Sequence, residues 1–206
     1  MTKTRAQKIV SAARSVFIRY GYARTTMMDI AKAAEISRPA VYLAFATKEE
    51  IFRAVVTEMA GEMIDDIAIK MAEVDTLFDK IVIALNGWIV HSYLLYQGSS
   101  EPQEYQENTH RIAHDIVAAG YKRVEALLTE VLIGAKLQET QLPPDRIARI
   151  IVGAASGFMR LANTGAAGST KNVDDLREQI ADLVRLICAD SEPEPAPALG
   201  RPSGKA

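Results

Sequence analysis

Three helix-start signals within fifty residues constrain this chain more than any other feature of it. Thr4 with Gln7, Thr26 with Asp29 and Thr47 with Glu50 share the capping-box spacing, in which a hydroxyl and a side-chain acceptor three residues on satisfy each other's backbone N–H. Ser37 supplies a fourth N-cap, and Pro39 stands in the first turn that follows, where its missing N–H does no harm. Starts so close together leave room only for short helices and tight turns. The spacing predicts helices over about 5–20, 27–34 and 38–45, and a longer one from Lys48 to about Met71. In the first, Ile9, Ala13, Val16, Phe17 and Tyr20 make one apolar stripe that Gly21 ends. The second and third, with three residues between them, describe a helix-turn-helix, a shape whose second helix fits the major groove of DNA.

The rest of the chain keeps the helical period, with no strand or hairpin signal, so an all-α fold is expected. Further helices are predicted at about 75–96, across 103–137 as one or two, at 145–163 and at 173–189, punctuated by Asp75, Pro102, Pro143-Pro144 and the 165–169 stretch. Residues 191–206, rich in Pro, Gly and charge, have almost nothing to bury and are expected to be a disordered tail. The expected organisation is a head over 1–50, a body over 51–190 and this tail. Ile81–Ser100 is as long as a membrane span, yet it contains Asn86, Gly87, His91, Ser92 and Gln97 and lacks basic flanks; a buried helix is the expectation. The polar, basic start and the single cysteine, Cys188, fit a cytoplasmic protein with no secretory signal and no membrane association.

Charge divides the chain in the same place. Residues 1–53 hold ten Lys/Arg against four Asp/Glu, a balance of +6, and the other 153 hold fourteen against twenty-two, a balance of −8. The near-neutral total hides a basic head on an acidic body, and such asymmetry suggests that the head meets a polyanion. Candidate contacts follow from the helix starts. Thr25 and Thr26 stand at one helix N-terminus and Thr47 and Lys48 at another, where free N–H groups and the helix dipole favour phosphate. The third helix exposes Arg38, Pro39, Ala40, Tyr42 and Leu43, with Val41 and Phe45 inward. Arg38, the only long cation on that helix, has two readings: a bidentate bond to guanine, or a hold on phosphate. Arg14, Arg19 and Arg24 read first as solvated cations.

Residues 5–53 resemble the DNA-binding domain of the tetracycline-repressor (TetR) family. The likeness runs without gaps through Ala12-Ala13, Phe17, Gly21-Tyr22, Thr25-Thr26, Ile30-Ala31, Ile36-Ser37, Val41-Tyr42, Phe45, Lys48-Glu49 and Ile51. The resemblance implies that Thr26, Tyr42 and Lys48 grip phosphate and that Arg38, Pro39, Ala40 and Leu43 face bases. It implies a homodimer on a near-palindromic operator in double-stranded DNA, and a body that binds a small effector. The sequence departs from the family at Glu35, where a turn glycine is common, and at Leu43-Ala44, where an aromatic pair is usual.

The body offers features suited to both implied tasks. The 75–96 segment is apolar nearly all round and also carries Trp88, His91, Ser92, Tyr93 and Tyr96, groups able to orient a ligand in an apolar pocket. Phe158 and Met159 are further pocket candidates, beside the bland alternative that all of these are satisfied core. The stripes Ile147, Ile150/Ile151, Ala154, Phe158, Leu161 and Leu176, Ile180, Leu183, Ile187, with Gly153 and Gly157 four apart, suit a four-helix dimer seam or an internal core. Glu107, His110 and His114 have a spacing able to hold a metal, but a surface helix with ordinary histidines explains them equally, and no metal or cofactor is expected. Cys188 reads as a packed thiol. No nucleophile triad or nucleotide-binding glycine loop appears, so no enzyme is expected. The leading expectation is a repressor released by a small effector; the alternative is a helix-turn-helix regulator answering to a protein partner, or an activator.

Overall fold

Each of the four expected N-caps holds a helix. The computed structural model describes residues 4–135, 142–164 and 172–188, and the expected tail lies outside the described residues. Thr4 caps α1 (Arg5–Tyr20) and Thr26 caps α2 (Met27–Ala33), both as complete capping boxes. Ser37 caps α3 (Arg38–Ala44) by accepting from the Ala40 N–H. Thr47 caps α4 (Lys48–Ala72), but its box is open: the Glu50 carboxylate accepts from the Ala46 N–H at 2.8 Å rather than from Thr47. The turn between α2 and α3 holds Glu35 at φ 56°, in the left-handed region where glycine is at ease and other residues are strained.

The body comprises α5 (Leu77–Leu85), a π-helical turn at Asn86–Val90, α6 (His91–Gln97), α7 (Pro102–Ala135), α8 (Pro144–Thr164) and α9 (Val173–Cys188). Among the described residues every regular element is helical, in agreement with the all-α expectation. The uncharged stretch from Ile81 is therefore a helix interrupted by a π-turn, and among the described residues no helix is long and apolar enough to cross a membrane. A second interruption lies in α7, where Ala113 leaves helical geometry at φ −130° and ψ 25°.

Two apolar clusters are joined by α4. The head cluster packs Ile9, Ala13 and Phe17 of α1 against Ile30, Val41, Ile51 and Phe52, with Phe45 partly buried against it. It does not stop at the 50/51 division, which falls inside α4, because Val55, Val56 and Met59 belong to it, as do Tyr96, Tyr105, Ile112 and Ala113 of the body. Aromatic rings carry this continuity: Phe17 meets Phe52 edge-on at 5.2 Å, and Phe52 meets Tyr105 at 5.8 Å. The body cluster gathers α4, α5, α7, α8 and α9 around Ile67, Leu85, Leu128, Ile151 and Ile180. Head and body thus share one helix and adjoining cores, and a shift of α7 on α4 is felt by both.

Candidate functional site

On the head, α3 turns Val41 fully inward and leaves Arg38, Pro39, Tyr42 and Leu43 exposed, with Ala40 half-buried. Arg38 and Tyr42 stand one turn apart on the same face, and the guanidinium lies 5.5 Å from the phenol ring centroid. Leu43 is 82 % exposed, a large apolar side chain with no part in the core. Thr26 is exposed, and its hydroxyl and backbone N–H both donate to the Asp29 carboxylate. Those bonds hold the Asp29 carboxyl below its ordinary pKa, the hydroxyl's contribution being the larger. Thr47 is exposed at the start of α4.

Two candidates present no side chain to a ligand. Thr25 is only 2 % exposed, and its hydroxyl donates to the Gly21 carbonyl at 2.6 Å. Lys48 folds its ammonium back into the 22–25 loop, donating to the carbonyls of Tyr22 at 2.7 Å and Thr25 at 2.8 Å and lying 4.2 Å from the Tyr22 ring centroid. Burial lowers its pKa, with Glu104 opposing. The sequence marked the right segment, but the carbonyls of the loop that follows α1 claim this cation first.

The basic character of the head is partly answered by the body. Arg14 pairs with Glu62 at 2.7 Å, Arg24 with Glu101, and Arg53 with Asp115 at 2.7 Å. The Ala23 N–H donates to the Glu104 carboxylate at 2.7 Å, and the Ser100 N–H to the Ile18 carbonyl. Arg14 and Arg24 thus reach across the joint, and the Arg24 side chain remains 72 % exposed, a solvated cation as well.

In the body a cavity of about 60 Å³ lies between α4, the π-turn with α6, α7 and α8. Of the candidates, Trp88, Ser92, Tyr96 and Met159 line it. Three do not. His91 is exposed on the opposite face, beside Asn86 and Lys70 in a surface groove. Tyr93 and Phe158 pack in the body cluster instead. For His91 and Tyr93 the π-turn explains the sorting: an extra residue in the turn rotates the helix after it by roughly 100° relative to a plain α-helix. Sequence reasoning missed Tyr105, Thr109, His110 and Tyr121, which form the α7 wall. On an unbroken helix Tyr105 and Tyr121 would point about 160° apart, and Ala113 interrupts the helix between them. The same interruption falls within Glu107, His110 and His114; among the described residues no three His, Cys, Asp or Glu are placed to hold a metal.

Residues 9–55 match the family model described as bacterial regulatory proteins, tetR family. The head of the chain is thus similar to the tetR family over these residues. A relative is the HTH-type transcriptional regulator YfiR of Bacillus subtilis (strain 168), 42% identical over 52 residues that make up 25% of each chain. The chain thus spans about a quarter of that relative's length. Solved structures extend the likeness of fold to the body. SmeT, the repressor of the Stenotrophomonas maltophilia multidrug efflux pump SmeDEF, superposes with a TM-score of 0.63 at 21% identity over 90% of each chain. A protein from Saccharomonospora viridis solved in complex with choline gives 0.68 at 16% identity, over 87% of this chain and 95% of that one. The matched head therefore sits on a body whose fold these solved structures share, although the sequences have diverged.

Proposed function

We propose that this tetR-family chain is a homodimeric repressor that binds a near-palindromic operator and is released from it by a small-molecule effector. The observation that carries the reading is the outward face of α3, where Arg38 rests on Tyr42 beside exposed Leu43, on a head of the tetR family. That face supplies a fork-shaped donor for guanine or phosphate, a phenol for a backbone oxygen and an apolar tip for a thymine methyl. Thr26, Thr47 and the free N–H groups at the start of α4 flank it as phosphate contacts, whereas Lys48 and Thr25 act by holding the 21–25 loop in shape.

Dimerisation is supported by α8 and α9. Each buries one side in the body and leaves large apolar residues outside: Ile150 and Leu161 on α8, and Leu186, 79 % exposed, on α9. Gly153 and Gly157 lie among them with open space where a side chain would stand. Two copies packed through this face would place two heads on one side of a duplex, about 34–36 Å apart. An effector in the cavity would press on α7, whose first half carries Glu104 and Tyr105 against the head. Ligand and DNA would then each weaken the other's binding.

The small volume of the cavity favours one second reading, in which the body answers to a protein partner. Footprinting on the DNA upstream of the gene, with and without effector candidates, tests the proposal. A protected near-palindrome whose affinity falls steeply with salt is expected. Loss of protection by added protein but by no small molecule would favour the second reading, and no protection at low salt would end both.

A further inference from the structure

The cavity wall is unusually specific about one side chain. Trp88, the single tryptophan of the chain, is buried and packs edge-on against Tyr121 at 5.7 Å. Its ring fits only because residue 120 has no side chain: a Cβ on Gly120 would stand 2.0 Å from the Trp88 Cη2. At the residue just before Trp88, a Cβ on Gly87 would stand 2.3 Å from Ile67 Cγ1, so a second glycine lets the π-turn settle onto α4. Two close approaches and a π-turn therefore fix the indole as one rigid wall.

The facing wall is compliant. Met59, Met63 and Met159 are unbranched thioethers that can move aside at little cost and make favourable contacts with aromatic rings. This matters because about 60 Å³ holds no more than about two water molecules.

The lining is also free of strong charge. Among the described residues no Asp, Glu, Lys or Arg lines the cavity. Burial raises the pKa of Tyr96 and pushes that of Tyr105 up to about 12, so both phenols stay neutral. Tyr96 is only 6 % exposed and lines the cavity. A phenol at a cavity wall can donate one hydrogen bond to a ligand oxygen. At the cavity edge, His110 Nδ1 lies 2.9 Å from the Gln106 carbonyl, which can only accept, so Nδ1 carries the proton and donates.

We propose that this cavity takes an uncharged, flat aromatic ligand bearing one hydroxyl or carbonyl, stacked against Trp88 and hydrogen-bonded to Tyr96. The proposal rests on the effector reading of the same cavity and narrows it to a chemical class. A carboxylate would enter with no opposite charge to meet it, and an ammonium would meet only ring faces, so burying either without a counter-charge costs more than the stacking returns.

The test uses the full chain and three probes of one shape: 3-nitrobenzyl alcohol, 3-nitrobenzoate and 3-nitrobenzyltrimethylammonium. Each is titrated at pH 8 while the emission of the sole tryptophan is followed, since a nitroaromatic seated on Trp88 quenches it. The alcohol is expected to quench saturably, with a Kd at least about tenfold below that of either ion, a gap small beside the cost of burying an unpaired charge. Tyr96→Phe, which keeps the ring, should weaken the alcohol by about threefold to tenfold, the range of one hydrogen bond, with the melting temperature little changed. Gly120→Ala is unsuitable because its methyl collides with the indole. Equal or tighter binding of either ion overturns the proposal, as does the absence of saturable quenching by all three. Operator binding is measured separately. Failed quenching with an intact footprint overturns the ligand class alone. Saturable quenching without operator release upholds the class and overturns the effector reading.

Discussion

The guanidinium of Arg53 grips the carboxylate of Asp115 with both of its terminal nitrogens, at 2.8 and 2.7 Å, across the junction between head and body. The same guanidinium donates to the Ile112 carbonyl at 2.6 Å, so it clasps α7 on both sides of the non-helical Ala113. The bond from Arg53 holds the Asp115 carboxyl well below the usual carboxylate range. A depressed carboxylate pKa contributes stability above the unfolded value, and that contribution is lost as pH falls toward the folded one. Thermal melts of wild type and Asp115→Asn should therefore differ by a constant amount from pH 8 to 5, and the gap should close only below about pH 4. A gap that closed near neutrality would place the effect on another group.

Arg38 separates base reading from phosphate holding. If it reads guanine, Arg38→Ala should cost about 1–3 kcal/mol on the operator and little on random DNA. An equal loss on both, with the salt slope reduced by about one, would make it a phosphate contact. Binding isotherms at several salt concentrations decide.

Lys48 should behave as a structural residue although it lies on the DNA-facing head. Lys48→Met leaves the Tyr22 and Thr25 carbonyls without their donor and should destabilise the fold by about 1–3 kcal/mol. In conditions where the variant is fully folded, its salt slope for DNA should equal that of wild type. A slope lower by about one would show that the ammonium reaches phosphate after all.

Glu35 carries a cost that the sequence can relieve. Its φ of 56° suits glycine, so Glu35→Gly should stabilise the chain by about 0.5–1 kcal/mol, after the extra freedom of glycine in the unfolded state is subtracted. Chemical denaturation with an unchanged slope would measure it; a destabilised variant would mean that the glutamate side chain contributes more than its backbone costs.

The outward face of α8 and α9 predicts assembly. Leu186→Arg puts a charge on an exposed site, where it should not disturb the fold of one subunit. Sedimentation should show a dimer for wild type and a monomer for the variant, with operator affinity lost in parallel. A variant that remains dimeric would place the seam elsewhere.

What the sequence determined by itself was local. Hydroxyls at Thr4, Thr26, Ser37 and Thr47 placed four helix starts because capping acts over three residues. Tertiary structure decided where the side chains went. Lys48 and Thr25 turned inward because carbonyls of the 21–25 loop lie beside them in space, and Arg14, Arg24 and Arg53 met acids of the body far along the chain. The charge asymmetry therefore also marks a joint between head and body. The cavity wall was hidden for the same reason. The π-turn at Asn86–Val90 and the break at Ala113 each shift the helical phase, so a plain 3.6-residue period cannot say which of Trp88, His91, Tyr93, Tyr105 and Tyr121 share a face. Periodicity reports neighbours along a regular helix, and both interruptions are held in place by packing between helices.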